Sequence, residues 1–329
     1  MTFFRTAVVA GALAVAGVLS VAAPSCAQAV VAEIPAERPT AVSYGPQTVV
    51  RYRFGAKMTA RGGSVQDVRL MVAVPLDCAE QEVELVDEDF SPHIGEVEYR
   101  QTDEGVRQML IFVPTLPARQ TAHAYATFEV RTRTILAPAE TAGLAPPKRP
   151  DRPLKRYLGS SPLIDVNHGR IRAALKEATA DLESASAWER AEAIYDYVLE
   201  HIKYEVGDDK SSVKALADGV GDCQAIGAAF VAMCRTDKIP ARMVWVDGHQ
   251  HAEFYLEDDA GQGDWYPIET AGSRAFGEMP LARVILQKGD NFRVPERRGD
   301  RLRYASDFAI FLAKPGEQPN IAYIRELVE

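Results

Sequence analysis

Residues 137–155 carry five prolines, Pro138, Pro146, Pro147, Pro150 and Pro153. No continuous helix or central strand can run through such a stretch, because each proline removes an amide donor and fixes its own backbone angle. The text changes character across it. Before it, segments 48–54, 68–74, 83–86, 97–99, 108–113 and 124–135 are rich in Val, Ile, Tyr and Phe, and several alternate apolar with polar residues. That is the pattern of half-buried antiparallel strands, and so many short strands in about 100 residues predict a small β-sandwich. It contains no cluster of catalytic residue types, so support or partner binding is its expected role. The predicted organisation is a sandwich over residues 30–136, a proline-rich linker over 137–153 and a second domain over 154–329.

The second domain reads helix first and strand later. Ile171 to Leu182 places apolar residues near helical spacing. Ser186-Ala-Trp-Glu189 is a capping box that opens a helix burying Trp188, Ala191, Ile194, Val198 and Ile202. A third helix is expected from about Cys223 to Asp237, with Ile226, Ala229, Phe230, Met233 and Cys234 on one face. The period then shifts to two. Arg242 to Val246, Glu253 to Leu256 and Asp264 to Ile268 are strand candidates, separated by turn residues. Helices followed by antiparallel strands make this domain α+β. The fold of 273–329 is not legible beyond further short strands.

Arg5 is the only charge among residues 1–29, and an apolar run from Ala7 to Ala23 leads to Ala27-Gln28-Ala29. A charged start, an apolar middle and a small-x-small site predict a secretory signal peptide over 1–29, and so a periplasmic or secreted protein. An uncleaved anchor and a lipoprotein built on Cys26 are the alternatives. After cleavage no further apolar run reaches spanning length. Loss of Arg5 moves the net charge from −9 to about −10, which argues against nucleic acid or an anionic membrane as partner. The remaining cysteines, Cys78, Cys223 and Cys234, are odd in number. At least one thiol is therefore free, which in an exported protein asks for a reason.

The segment Gly221-Asp222-Cys223-Gln224 offers one. Asp222 can cap the third helix, making Cys223 its first residue, where unpaired amides and the helix dipole favour an anion. The same amides suit a developing oxyanion. Cys234 sits mid-helix on the apolar face and reads as core, and Cys78 as structural. Downstream, His249, His251, Glu253 and Tyr255 share one strand face. From chemistry alone either imidazole could take the Cys223 proton and return it to a leaving amine. Glu269, at the end of Trp265-Tyr-Pro-Ile-Glu269, is the carboxylate that could hold the resulting imidazolium. Zinc bound by the histidines and a carboxylate is the rival, although alternate strand residues stand about 6–7 Å apart. Gln224 is open as an oxyanion donor.

Taken together, Gly-Asp-Cys on an Ala-rich helix, Ile239-Pro-Ala-Arg242, His249-x-x-x-Glu253-Phe-Tyr255 and Trp265-x-Pro-x-Glu269 resemble the transglutaminase-like superfamily of papain-fold cysteine enzymes, in a bacterial exported form. The resemblance covers roughly residues 154–272. It implies helices packed on an antiparallel sheet, with Cys223 as nucleophile and His249, four before Glu253, as base. Glu269 stands where the family usually has aspartate, and His251 where it usually has an aromatic. The implied activity is acyl transfer or hydrolysis on a peptide or amide substrate through a thioester, with hydrolysis favoured and no metal or cofactor required. The alternative is a non-catalytic module that keeps the fold and binds peptide or cell-wall material.

Overall fold

The computed structural model describes residues 38–102, 105–305 and 307–328. The expected signal peptide, and Cys26 with it, lies outside the described residues. Among the described residues no helix is long and apolar enough to cross a membrane.

Six strands come first: β1 (Ser43–Thr59), β2 (Val65–Val74), β3 (Gln81–Phe90), β4 (Glu96–Thr102), β5 (Val106–Leu116) and β6 (Thr121–Leu136). Each expected strand segment falls inside one of them, and the pairing extends past the apolar residues into polar ends. Strands β3, β6 and β1 form one antiparallel sheet, and β4, β5 and β2 belong to another. Phe54, Met58, Phe128 and Val130 of the first sheet interlock with Val68, Val72, Met109 and Ile111 of the second in one buried cluster. This is the sandwich that the alternation implies.

Within the proline-rich stretch the backbone makes one bridge, Ala145 to Glu257, and one turn of helix, α1 (Arg152–Lys155), capped by Asp151. Four helices follow: α2 (Gly169–Ala178), α3 (Ala187–His201), α4 (Ser212–Asp218) and α5 (Cys223–Thr236). The capping box of α3 is present, Ser186 Oγ accepting from the Glu189 amide while Glu189 reaches back to the Ser186 amide. α4 was not legible in the sequence, being only two turns long. Every residue of α5 from Gln224 to Arg235 is buried, not one face alone. Its alanines and glycine let other elements close in from several sides, as an apolar helix wrapped by neighbours requires.

Strands β9 (Ala241–Val246), β10 (His249–Glu257) and β11 (Gly263–Ile268) cover one side of α5. Phe254, Tyr266 and Phe276 surround Trp188 of α3 with ring centroids 5.1–5.5 Å away, mostly edge to face. Arg235 at the end of α5 is wholly buried. It donates to Asp290 twice, to the carbonyls of Ala241 and Gly159, and to Ser161 Oγ.

The segment the sequence left unread returns to the start of the chain. β12 (Ile285–Lys288) pairs with β9 on one side and β5 on the other, so a single sheet runs β11-β10-β9-β12-β5-β2-β13, with β4 beside β5. Here β13 is Phe308–Leu312, and β14 (Asn320–Leu327) pairs with β1 in the first sheet. Hydrogen bonding thus crosses between the two expected domains, and the described residues cluster as one compact unit.

Candidate active site

The loop before α5 is shaped by close packing. Lys203–Tyr204 (β7) runs parallel to Val220–Gly221 (β8), and the Glu205 amide donates to the Gly221 carbonyl. A Cβ on Gly221 would stand 2.5 Å from Ala225 Cβ, so only glycine lets this ribbon lie on the first turn of α5. Asp222 then caps the helix, its Oδ1 accepting from the Ala225 amide at 3.0 Å. The amides of Cys223 and Gln224, which the helix does not use internally, remain at the helix mouth. Cys223 is half-buried there. Tyr204 stands near it: partial burial, then the charges of Cys223 and Asp222, raise its phenol above the usual value.

Gln224 is committed elsewhere. Its Oε1 accepts from the Lys210 amide and its Nε2 donates to the Lys210 carbonyl, at 3.1 and 3.2 Å. It pins the loop before α4, which engages one of the two N–H groups of the side chain considered above as an oxyanion donor.

His249 begins β10 after a two-residue turn in which Gly248 takes φ of 68°. Cys223 lies near enough to act on the His249 ring, whose Nε2 lies 2.6 Å from Glu269 Oε1. With Nε2 so engaged, Nδ1 is the nitrogen left to serve the sulfur. Burial alone would lower the imidazole, but the hydrogen bonds and charges of Cys223 and Glu269 outweigh it and raise it to about 9.

Glu269 is held at both ends. Its amide donates to the Ala275 carbonyl, and its own carbonyl accepts from Tyr195 Oη at 2.8 Å. Oε1 also accepts from the amides of Thr270 and Ala271, and Oε2 from Arg283 Nη1 at 3.1 Å. Burial pushes the carboxyl up, yet His249 and those amides prevail and hold it at about 2.

The structure therefore brings Cys223, His249 and Glu269 together and leaves His251 out. His251, two residues along the same strand face, is buried, and desolvation pulls it down to about 4 despite nearby carboxylates, so its ring is neutral. Glu253, the strand carboxylate of the zinc alternative, is taken by Arg242 and by Lys288 Nζ. Among the described residues, no three His, Cys, Asp or Glu side chains converge so as to hold a metal ion. Cys78 and Cys234 stand apart from the site, both raised by burial, Cys78 to about 12.

Residues 172–270 match the family model described as the transglutaminase-like superfamily. This stretch is a transglutaminase-like core. A solved structure from Cytophaga hutchinsonii, provisionally named a cysteine protease, is similar over 88% of this chain and 93% of its own, with 15% identity and a TM-score of 0.56. At that identity the likeness is one of fold, and its extent takes in strands outside the transglutaminase-like core. Another, from Parabacteroides distasonis and provisionally named a protease, covers 71% of this chain and 48% of its own at 12% identity and a TM-score of 0.26. No curated protein matches. Two site-building residues escaped the sequence reading. Tyr195 is on α3 and read only as helix, and Arg283 belongs to no motif.

Proposed function

We propose that the protein is an exported cysteine enzyme that cleaves or transfers the acyl group of a peptide or amide substrate. The observation that carries this reading is the convergence of Cys223, His249 and Glu269, with His249 Nε2 2.6 Å from Glu269 Oε1 and Cys223 near enough to act on the same ring. In the first step the Cys223 thiolate attacks the substrate carbonyl carbon, and the negative charge moves to the carbonyl oxygen. The amides of Cys223 and Gln224 at the mouth of α5 receive that oxyanion. As the C–N bond breaks, His249 gives its proton to the leaving amine, and an acyl thioester remains on Cys223. His249, now neutral, takes a proton from an incoming water or amine, which displaces the thiolate and restores the imidazolium. Glu269 holds the ring in the orientation both steps need. Water is the favoured acceptor, in line with the protease name given to the neighbour of similar fold. Export rests on the leader sequence.

The test is the rate of Cys223 alkylation by iodoacetamide between pH 5 and 10, in wild type and His249→Ala. Fast alkylation at neutral pH that His249→Ala abolishes is the expected result. A thiol equally slow in both proteins would leave the binding-module reading standing instead.

A further inference from the structure

Glu269 reaches farther than an aspartate would, and a longer arm needs a second anchor. Its Oε1 is crowded with the donors that face His249, and Oε2 accepts from Arg283 Nη1. Arg283 belongs to none of the motif strands. It lies on the segment from Met279 to β12, and that segment is fastened to the N-terminal sandwich along its length. Met279 and Ile135 of β6 exchange both backbone hydrogen bonds, at 2.8 and 2.9 Å. The Leu76 amide donates to the Ile285 carbonyl. Gln81, buried at the start of β3, accepts from the Ile285 amide and donates to the carbonyls of Ile285 and Leu76. Lys288, at the other end of the segment, donates its backbone amide to the Gly105 carbonyl and bonds through Nζ to Glu80 as well as Glu253.

From this geometry we infer that Arg283 is a positioning residue for Glu269, and that the sandwich contributes to the active site by holding the strap that carries Arg283. The inference rests on the proposed Cys223–His249–Glu269 reaction. Arg283 acts through Glu269: with Oε2 fixed, Oε1 is aimed at His249 Nε2, and the imidazole is kept charged and oriented. The sandwich thereby has a task in the chemistry although it holds no catalytic side chain. An ion pair with a side chain about one-third exposed, 31% for Arg283, would otherwise count for little.

Orientation and charge predict opposite signs, which makes the inference testable. Removing a nearby cation raises the pKa of an imidazole, whereas loosening its carboxylate partner lowers it. The experiment is an NMR titration of the His249 ring in the full chain, alongside the pH profile of Cys223 alkylation, in wild type, Arg283→Gln, Arg283→Lys and Gln81→Met. Arg283→Gln should bring the His249 titration down by about one pH unit. Arg283→Lys should restore most of it, and Gln81→Met, which loosens the strap without touching the site, should lower it in part. An unchanged or raised His249 in Arg283→Gln overturns the positioning role. A folded Gln81→Met with wild-type titration overturns the part played by the sandwich. Failure of the proposed reaction looks different: His249→Ala would then leave alkylation unchanged, whatever Arg283→Gln did to the ring.

Discussion

Replacing Glu269 by aspartate installs the residue that the family pattern usually carries at this position, and the structure says that the change is harmful here. The backbone of residue 269 cannot follow a shorter side chain, because its carbonyl is bonded to Tyr195 Oη and its amide to the Ala275 carbonyl. Removing one methylene withdraws the carboxylate by up to about 1.5 Å, one carbon–carbon bond. Added to the present 2.6 Å between Oε1 and His249 Nε2, the separation becomes about 4 Å, too long for a hydrogen bond. A hydrogen bond to a charged group contributes about 1.5–3 kcal/mol, which corresponds to about one to two pH units in the titration of His249. The ring should therefore fall from about 9 to about 7–8 in Glu269→Asp. Glu269→Gln, which keeps the length and loses the charge, should fall further still. An NMR titration of the ring reads both variants directly, and alkylation of Cys223 at pH 8 should slow in the same order. If Glu269→Asp titrates at the wild-type value, the length argument and the fixed backbone behind it are refuted.

Three further outcomes follow from named contacts. Asp290→Ala leaves the buried Arg235 guanidinium without its counter-charge and should cost about 3–5 kcal/mol in urea unfolding, whereas the double change Arg235→Met, Asp290→Leu should cost less than the single; a loss below about 1 kcal/mol for Asp290→Ala counts against the buried pair. His249 is raised above its usual 6.5, so its contribution to stability is complete below that pH and fades as pH rises through about 9, while Glu269, lowered from 4.5, contributes above 4.5 and loses its share as pH falls through about 2; the urea midpoint should decline on the alkaline side, and His249→Ala should remove that slope. Native alkylation followed by mass spectrometry should mark Cys223 and spare Cys78 and Cys234, whose thiols burial pushes upward; prompt labelling of either would contradict the packing.

What the sequence made legible is what lies within a few residues of itself. The capping box at Ser186, the Asp222 cap and the alternation in β10 and β11 each depend on neighbours in the chain, and the helices and strands appear where those signals stand. Even the choice between His249 and His251 could be approached through the spacing of the family pattern. The physical reason that separates them is not local, however. His251 shares the strand face, but burial makes it neutral, while Glu269 and Cys223 keep His249 charged.

The residues that escaped are those whose partners are distant and carry no periodicity. Arg235 meets Asp290 across 55 positions, and Gln81 meets Ile285 across 204. A lone arginine in a helix or a lone glutamine in a strand has no pattern that announces such a bond. The same limit applies to Glu269, which is one methylene longer than the aspartate of the family pattern. In the fold, Tyr195 holds its backbone and Arg283 holds its outer oxygen, so the longer arm ends 2.6 Å from the imidazole. The departure and its compensation lie on different elements. Only the pairing of β12 with both β9 and β5 brings the sandwich, the strap and the acid into one sheet.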